Sequence, residues 1–207
     1  MRTPIVVLLL SACASACSGA KGLERRQGPA YQDEVASWRA ALDQAAADGM
    51  ILVVRGYHAG DDFIAVMSNA EYSHAMVLDL GRGEVIEAVG EGVIVTPLAK
   101  VLSESHQIML IRPADFTVDA GRAALARART TVGAGYDYTG IVGAPSRDRY
   151  YCSELAAWSW NVPVDRWGPG AVIHPEQLTA LGEVLFTSGP RDGKPDAVGR
   201  AAAPAAP

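Results

Sequence analysis

Apolar side chains recur along this chain with two different periods, and each change of period marks a new element. From Asp33 to Asp48 apolar or small residues return at Val35, Trp38, Leu42, Ala45 and Ala46, the spacing of a helix with one buried stripe, and Asp33 can serve as its N-cap. The continuous run Met50 to Arg55 predicts a buried strand, and Gly60-Asp61-Asp62 introduces a second, Phe63 to Met67. Two further strands, Ser73 to Leu80 and Glu84 to Val89, face each other across Gly81-Arg82-Gly83, a hairpin signal. A short strand Val93 to Thr96, a short helix Pro97 to Ser103 and a strand Gln107 to Arg112, closed by Pro113, come next. An Ala/Arg-rich helix is predicted over Asp119 to Val132, with Asp119 as N-cap and Gly133 as its stop. Gly133 to Arg149 reads as a loop, Tyr151 to Trp160 as a helix with a cysteine in its first turn, and His174-Pro175 leads into a last short helix.

Strands grouped together, with helices before and after, predict an α+β fold in which a largely antiparallel, meander-like sheet carries helices against one face. Both ends fall outside that pattern. Met1-Arg2-Thr3-Pro4, then apolar Ile5 to Leu10, then small residues, follow the order of an export signal. Two of the three cysteines lie there, in Leu10-Ser11-Ala12-Cys13 and Ala14-Ser15-Ala16-Cys17. The first resembles a bacterial lipobox, so Cys13 is the expected lipidation site, with Cys17 as the alternative and plain cleavage after Ala16 as a third. The expected organisation is a signal peptide or lipobox over 1–17, a polar tether over 18–32, one domain over 33–189 and a disordered Ala/Pro tail over 190–207. Such a chain is expected to be a membrane-anchored lipoprotein of the bacterial cell envelope, on the periplasmic side.

Charge narrows the partners. With 18 Lys+Arg against 23 Asp+Glu the net charge is −5, and no basic cluster exceeds the pair Arg25-Arg26. Nucleic acid is therefore not expected, since duplex binding needs a basic stripe to release counterions. No second apolar run reaches the ~18–20 residues of a membrane span.

Cys152 is the one thiol left in the body, and it stands at a predicted helix start, where unpaired N–H groups favour a thiolate. The competing reading is a small buried hydrophobe beside Leu155 and Trp158. A thiolate needs a base. His58 and His106 read as surface residues and His174 as structural, whereas His74 opens a strand among small neighbours, on a rigid mount. An imidazole in turn needs an orienter, and Glu87, flanked by apolar residues in the next strand, is the candidate. Parity decides whether they meet: a two- or four-residue turn puts Glu87 on the His74 face, a three-residue turn puts it on the other. Asp79, odd-numbered on the His74 strand, should point away. No HxxxH or CxxC pair supplies several metal ligands from one element, so neither a metal nor any other cofactor is expected.

The words Gly60-Asp61, Tyr72-Ser73-His74-Ala75-Met76-Val77, Val85-Ile86-Glu87-Ala88, Gly92-Val93, Thr96-Pro97-Leu98, Gly135-Tyr136-Asp137-Tyr138 and Tyr151-Cys152-Ser153-Glu154-Leu155 occur in this order. Together they resemble the YiiX/YebB group of circularly permuted NlpC-like cysteine hydrolases, over about Asp61 to Leu178. The resemblance implies a permuted papain-like fold in which the histidine strand precedes the nucleophile helix. It also implies Cys152 as nucleophile, His74 as acid and base, Glu87 as orienter, and Tyr136 as an oxyanion or substrate contact. Glu154, on a different helix face from Cys152, reads as a structural partner or cap. One departure stands out: where the group has a glycine two residues after the histidine, this chain has Met76.

The expected activity is that of a cysteine peptidase or amidase working through a thioacyl-enzyme. Peptidoglycan stem peptides are the first expectation for substrate. A lipid amidase or acyltransferase, for which Met76 and Ile141-Val142 would suit an acyl chain, is the alternative, and a non-catalytic envelope binding protein is the third reading.

Overall fold

A computed structural model describes residues 28–189 and Arg191. Cys13 and Cys17, the leader, residues 18–27 of the expected tether and all of the expected tail but Arg191 lie outside those residues. The first helix, α1 (Pro29–Ala45), begins four residues before Asp33, because Pro29 occupies a first-turn position where its missing N–H costs nothing. Strand β1 (Ile51–Gly56) follows as expected. Phe63 to Met67, expected as a strand, lies instead within helix α2 (Ala59–Ser68). The Asp61 carboxylate accepts the His58 N–H at 3.0 Å, and Asp61 and Asp62 sit in the first turn, where acidic groups favour a helix. A short apolar run cannot by itself tell the two periods apart.

Strands β2 (His74–Asp79) and β3 (Glu84–Val89) form the expected hairpin. Its turn is a 3-10 turn, Leu80–Arg82, closed by Gly83 in the left-handed region at φ 66°. Then come β4 (Gly92–Pro97), α3 (Leu98–Ser103) and β5 (Ser105–Pro113). Helix α4 (Val118–Thr130) is capped two residues before the N-cap expected at Asp119: the hydroxyl of Thr117 caps it by accepting the Ala120 N–H at 3.0 Å, and Asp119 lies in the first turn. The expected loop over 133–149 contains a two-residue parallel pair, β6 (Gly135–Tyr136) and β7 (Arg149–Tyr150). Helix α5 (Cys152–Ser159) follows at once. The short helix after His174 is a 3-10 segment, Pro175–Leu181, and it runs into a strand that the sequence reading did not predict, β8 (Gly182–Thr187).

The six long strands order as β4-β3-β2-β1-β5-β8, every neighbouring pair antiparallel. Strands β1 to β4 are the expected meander, and β5 returns to the free side of β1. Helices cover both faces of the sheet rather than one. Ile51, Val53, Ala75, Val77, Ile86 and Ile111 pack against Leu125 of α4 and Leu155 and Ala156 of α5. The alternate residues Leu52, Met76, Leu78, Val85 and Leu110 pack against Trp38 and Leu42 of α1 and Leu98 and Leu102 of α3. Strands β1 and β2 are apolar at nearly every position, which is the signature of burial on two sides. Met76, the departure from the group's glycine, is fully buried in the second layer.

Candidate active site

Between Asp79 and Glu84 lie four residues, so the parity condition puts Glu87 opposite Met76 and on the His74 face. His74 Nε2 and Glu87 Oε2 are 2.6 Å apart, a charge-assisted bond. Asp79 points to the other face, where its carboxylate pairs with Arg129 of α4.

Cys152 arrives from the opposite layer. Pairing between β2 and β3 stops at Met76 and Glu87, although β3 continues to Val89 against β4. Alternate amides of β2 face β1, as Leu78 N–H does toward Met50 O at 2.9 Å, so the Ala75 amide faces the β3 side, just beyond the last pair. There it donates to the Cys152 sulfur. The thiol thus enters where the two strands part. Tyr151, extended at φ −93° and ψ 167°, turns the chain into α5 and makes Cys152 the first helical residue. Glu154 accepts the Tyr151 N–H at 3.3 Å, the capping role expected of it.

Burial would push the Cys152 thiol up, but the charge and hydrogen bond of His74 outweigh it and hold the thiol below its ordinary value. Burial likewise opposes the His74 imidazolium, and the Cys152 and Glu87 charges overcome that, so His74 stays protonated well above its ordinary range. The two shifts describe one thiolate–imidazolium pair. With Nε2 held by Glu87, Nδ1 is the ring nitrogen left for the sulfur. Glu87 is pushed up by burial and pulled lower overall by hydrogen bonds from His74 and Thr96 and by the Lys100 charge.

Tyr136 is brought to the site by the parallel pairing of Tyr136 with Tyr150, two residues before Cys152. Burial, with the Cys152 charge second, raises its hydroxyl above the ordinary range, so it remains a donor. Its ring lies 4.8 Å from that of Tyr138. The next residue is one that sequence reasoning quoted but gave no role. The carboxylate of Asp137, wholly buried, accepts the N–H and hydroxyl of Thr139 and the N–H groups of Gly140 and Ser146 at 2.7 to 3.1 Å. It ties down the loop behind Tyr136. An aspartate two residues ahead of Thr139-Gly140 is an Asx-turn signal that could have revealed it.

The other histidines take no part in this constellation. His58 is exposed, as expected, 4.0 Å from Glu104. His106, expected at the surface, is completely buried with its ring edge-on to Tyr57. It sits in β5, between the two covered faces, and the surface expectation failed because that strand starts two residues earlier than its apolar run. The His174 N–H donates to Gln177 at 2.8 Å and starts the 3-10 segment. Among the described residues no three His, Cys, Asp or Glu side chains are grouped so as to hold a metal ion.

A thiolate at a helix start, an imidazolium on a neighbouring antiparallel strand and a carboxylate behind it define a papain-like cysteine hydrolase, with the histidine strand ahead of the nucleophile helix in the chain. The chain belongs to the family described as permuted papain-like amidase enzyme, YaeF/YiiX, C92 family, whose model matches residues 46–178. A curated relative, "Probable lipoprotein peptidase YaeF" of Escherichia coli (strain K12), is 34% identical over 79 residues, which is 38% of this chain and 28% of that protein. The crystal structure of the metalloprotein yiiX from Escherichia coli O157:H7 aligns over 72% of this chain and 93% of that one, at 21% identity and a TM-score of 0.48.

Proposed function

We propose that this chain is a cell-envelope cysteine peptidase or amidase that cleaves an amide bond in peptidoglycan stem peptides, with Cys152, His74 and Glu87 as its triad. The observation that carries the proposal is the buried sulfur–imidazole pair with Glu87 at 2.6 Å on the far side of the ring. The Cys152 thiolate adds to the amide carbonyl. The first-turn N–H groups of α5, which precede the helical ladder, and the Tyr136 hydroxyl would hold the oxyanion. His74 gives its proton to the leaving amine, and a thioester remains on Cys152. Water then attacks the thioester, His74 takes the proton, and the carboxylic acid product leaves as the thiolate re-forms. Glu87 keeps the ring oriented throughout.

An exported lipoprotein, anchored through Cys13 or Cys17 and joined to the catalytic domain by a short polar tether, would meet such a substrate outside the cytoplasm. The name of the YaeF relative supports that setting. A lipid amide as substrate is the second reading. Met76 no longer supports it, being core, but Tyr138 at 59% exposure and Val142 at 77% leave apolar surface on the loop after Tyr136.

The test is hydrolysis of purified muropeptides and of N-acyl amide lipids by the wild type and by Cys152→Ala. Release of new amines from muropeptides by the wild type, reduced at least about a thousandfold in the variant, is the expected result. Equal turnover by both proteins would remove the thiol mechanism, and turnover of the lipids alone would replace the substrate.

A further inference from the structure

Strand register carries the site beyond its three expected members. Glu87 in β3 stands opposite Met76 in β2 and Ile94 in β4, and the next row on the same face is Leu78, Val85 and Thr96. The row before it begins with His74. Across β2, β3 and β4, therefore, His74, Glu87 and Thr96 each lie one row further along than the last, all on one face. Diagonal neighbours of this kind are ~7–8 Å apart at the backbone, within reach of long side chains.

We infer that Thr96 is a positioning residue for the proposed thiol chemistry, its hydroxyl anchoring the Glu87 carboxylate that anchors His74. Glu87 and Thr96 are both 7% exposed, and a carboxylate taken out of water needs donors on each oxygen. His74 supplies one and the Thr96 hydroxyl another. Helix α3 starts two residues after Thr96, over the same face, and sets Lys100 near the carboxylate. The charged groups acting on Glu87 are thus His74 from β2 and Lys100 from α3. A fixed, ionised Glu87 keeps His74 charged and aimed at the sulfur. Thr96 acts only through it.

This inference rests on the triad reading, and the experiment separates the two. The probe is iodoacetamide, applied to the full chain across pH and followed on the Cys152 peptide by mass spectrometry, with circular dichroism as the check of folding. The wild type should alkylate with a midpoint well below the ~8.5 of a free cysteine. Thr96→Val should raise that midpoint and slow alkylation at about pH 6 by about tenfold, while Thr96→Ser, which keeps the hydroxyl, stays close to the wild type. Thr96→Ala, smaller and without the hydroxyl, should behave as Thr96→Val does and serves if the valine variant does not fold. In a Glu87→Ala background Thr96→Val should add nothing. A valine or alanine variant that tracks the wild type, or one that slows the reaction equally with Glu87 absent, overturns the inference. A wild type that titrates as an ordinary thiol overturns the triad reading and the inference with it.

Discussion

Cys152 and His74 shift each other's titration in opposite directions, and the two shifts bound the window in which the thiol would be reactive. On the proposed mechanism the acid limb of activity would follow Cys152, held low by the imidazolium, and the alkaline limb His74, held high by the thiolate and Glu87. Hydrolysis or alkylation measured from about pH 4 to pH 10 should therefore show a wide neutral plateau, and Glu87→Gln should narrow it from the alkaline side. Glu154 gives a second titration. Burial pushes its carboxyl up to about 7 from an ordinary 4.5, so the folded chain holds that proton more tightly than the unfolded chain does. The resulting stability is complete below pH 4.5 and is lost as pH rises toward 7. Melting temperatures recorded from about pH 5 to pH 8 should fall less steeply for Glu154→Gln than for the wild type. At this scale the residue types and their flanking words were legible in the sequence. The anchoring of Glu87 by Thr96 was not, because it depends on a diagonal across strands that no single run of residues displays.

The hairpin between β2 and β3 turns parity into chemistry. Four residues in its turn keep His74 and Glu87 together, and Gly83 completes it with a left-handed backbone at φ 66°. Gly83→Val should cost about 1–2 kcal/mol of stability in chemical denaturation, since a β-branched side chain resists that conformation. The elements with long runs of one period were predictable, as α4, α5 and β1 to β5 illustrate. The failures were local. Helix α2 hid behind a short apolar run, and β8 behind the 3-10 segment that leads into it. The burial of His106 depended on strand β5 beginning before its apolar stretch.

The molecule as a whole is a sheet enclosed on both sides, and its far end helps to close it. Arg191, in the stretch expected to be disordered, is only 6% exposed. Its guanidinium lies 3.8 Å from the Tyr31 ring centre and 4.0 Å from that of Trp38, donates to Leu102 O at 3.2 Å and pairs with Glu34 of α1. Arg191→Ala should lower the melting temperature, with a loss of about 2 kcal/mol. The second layer was signalled by the apolar runs of β1 and β2, but the grouping of strands and helices along the chain led to the expectation of helices against one face only. Its consequence reaches the reaction. The sulfur is mounted on the layer of α4 and α5 while the carboxylate behind the imidazole lies under α3, so the proposed reactive pair joins the two clusters packed on opposite faces of one sheet. Gentle heating that lets those clusters slip by a fraction of a bond length should silence turnover while the chain as a whole remains folded.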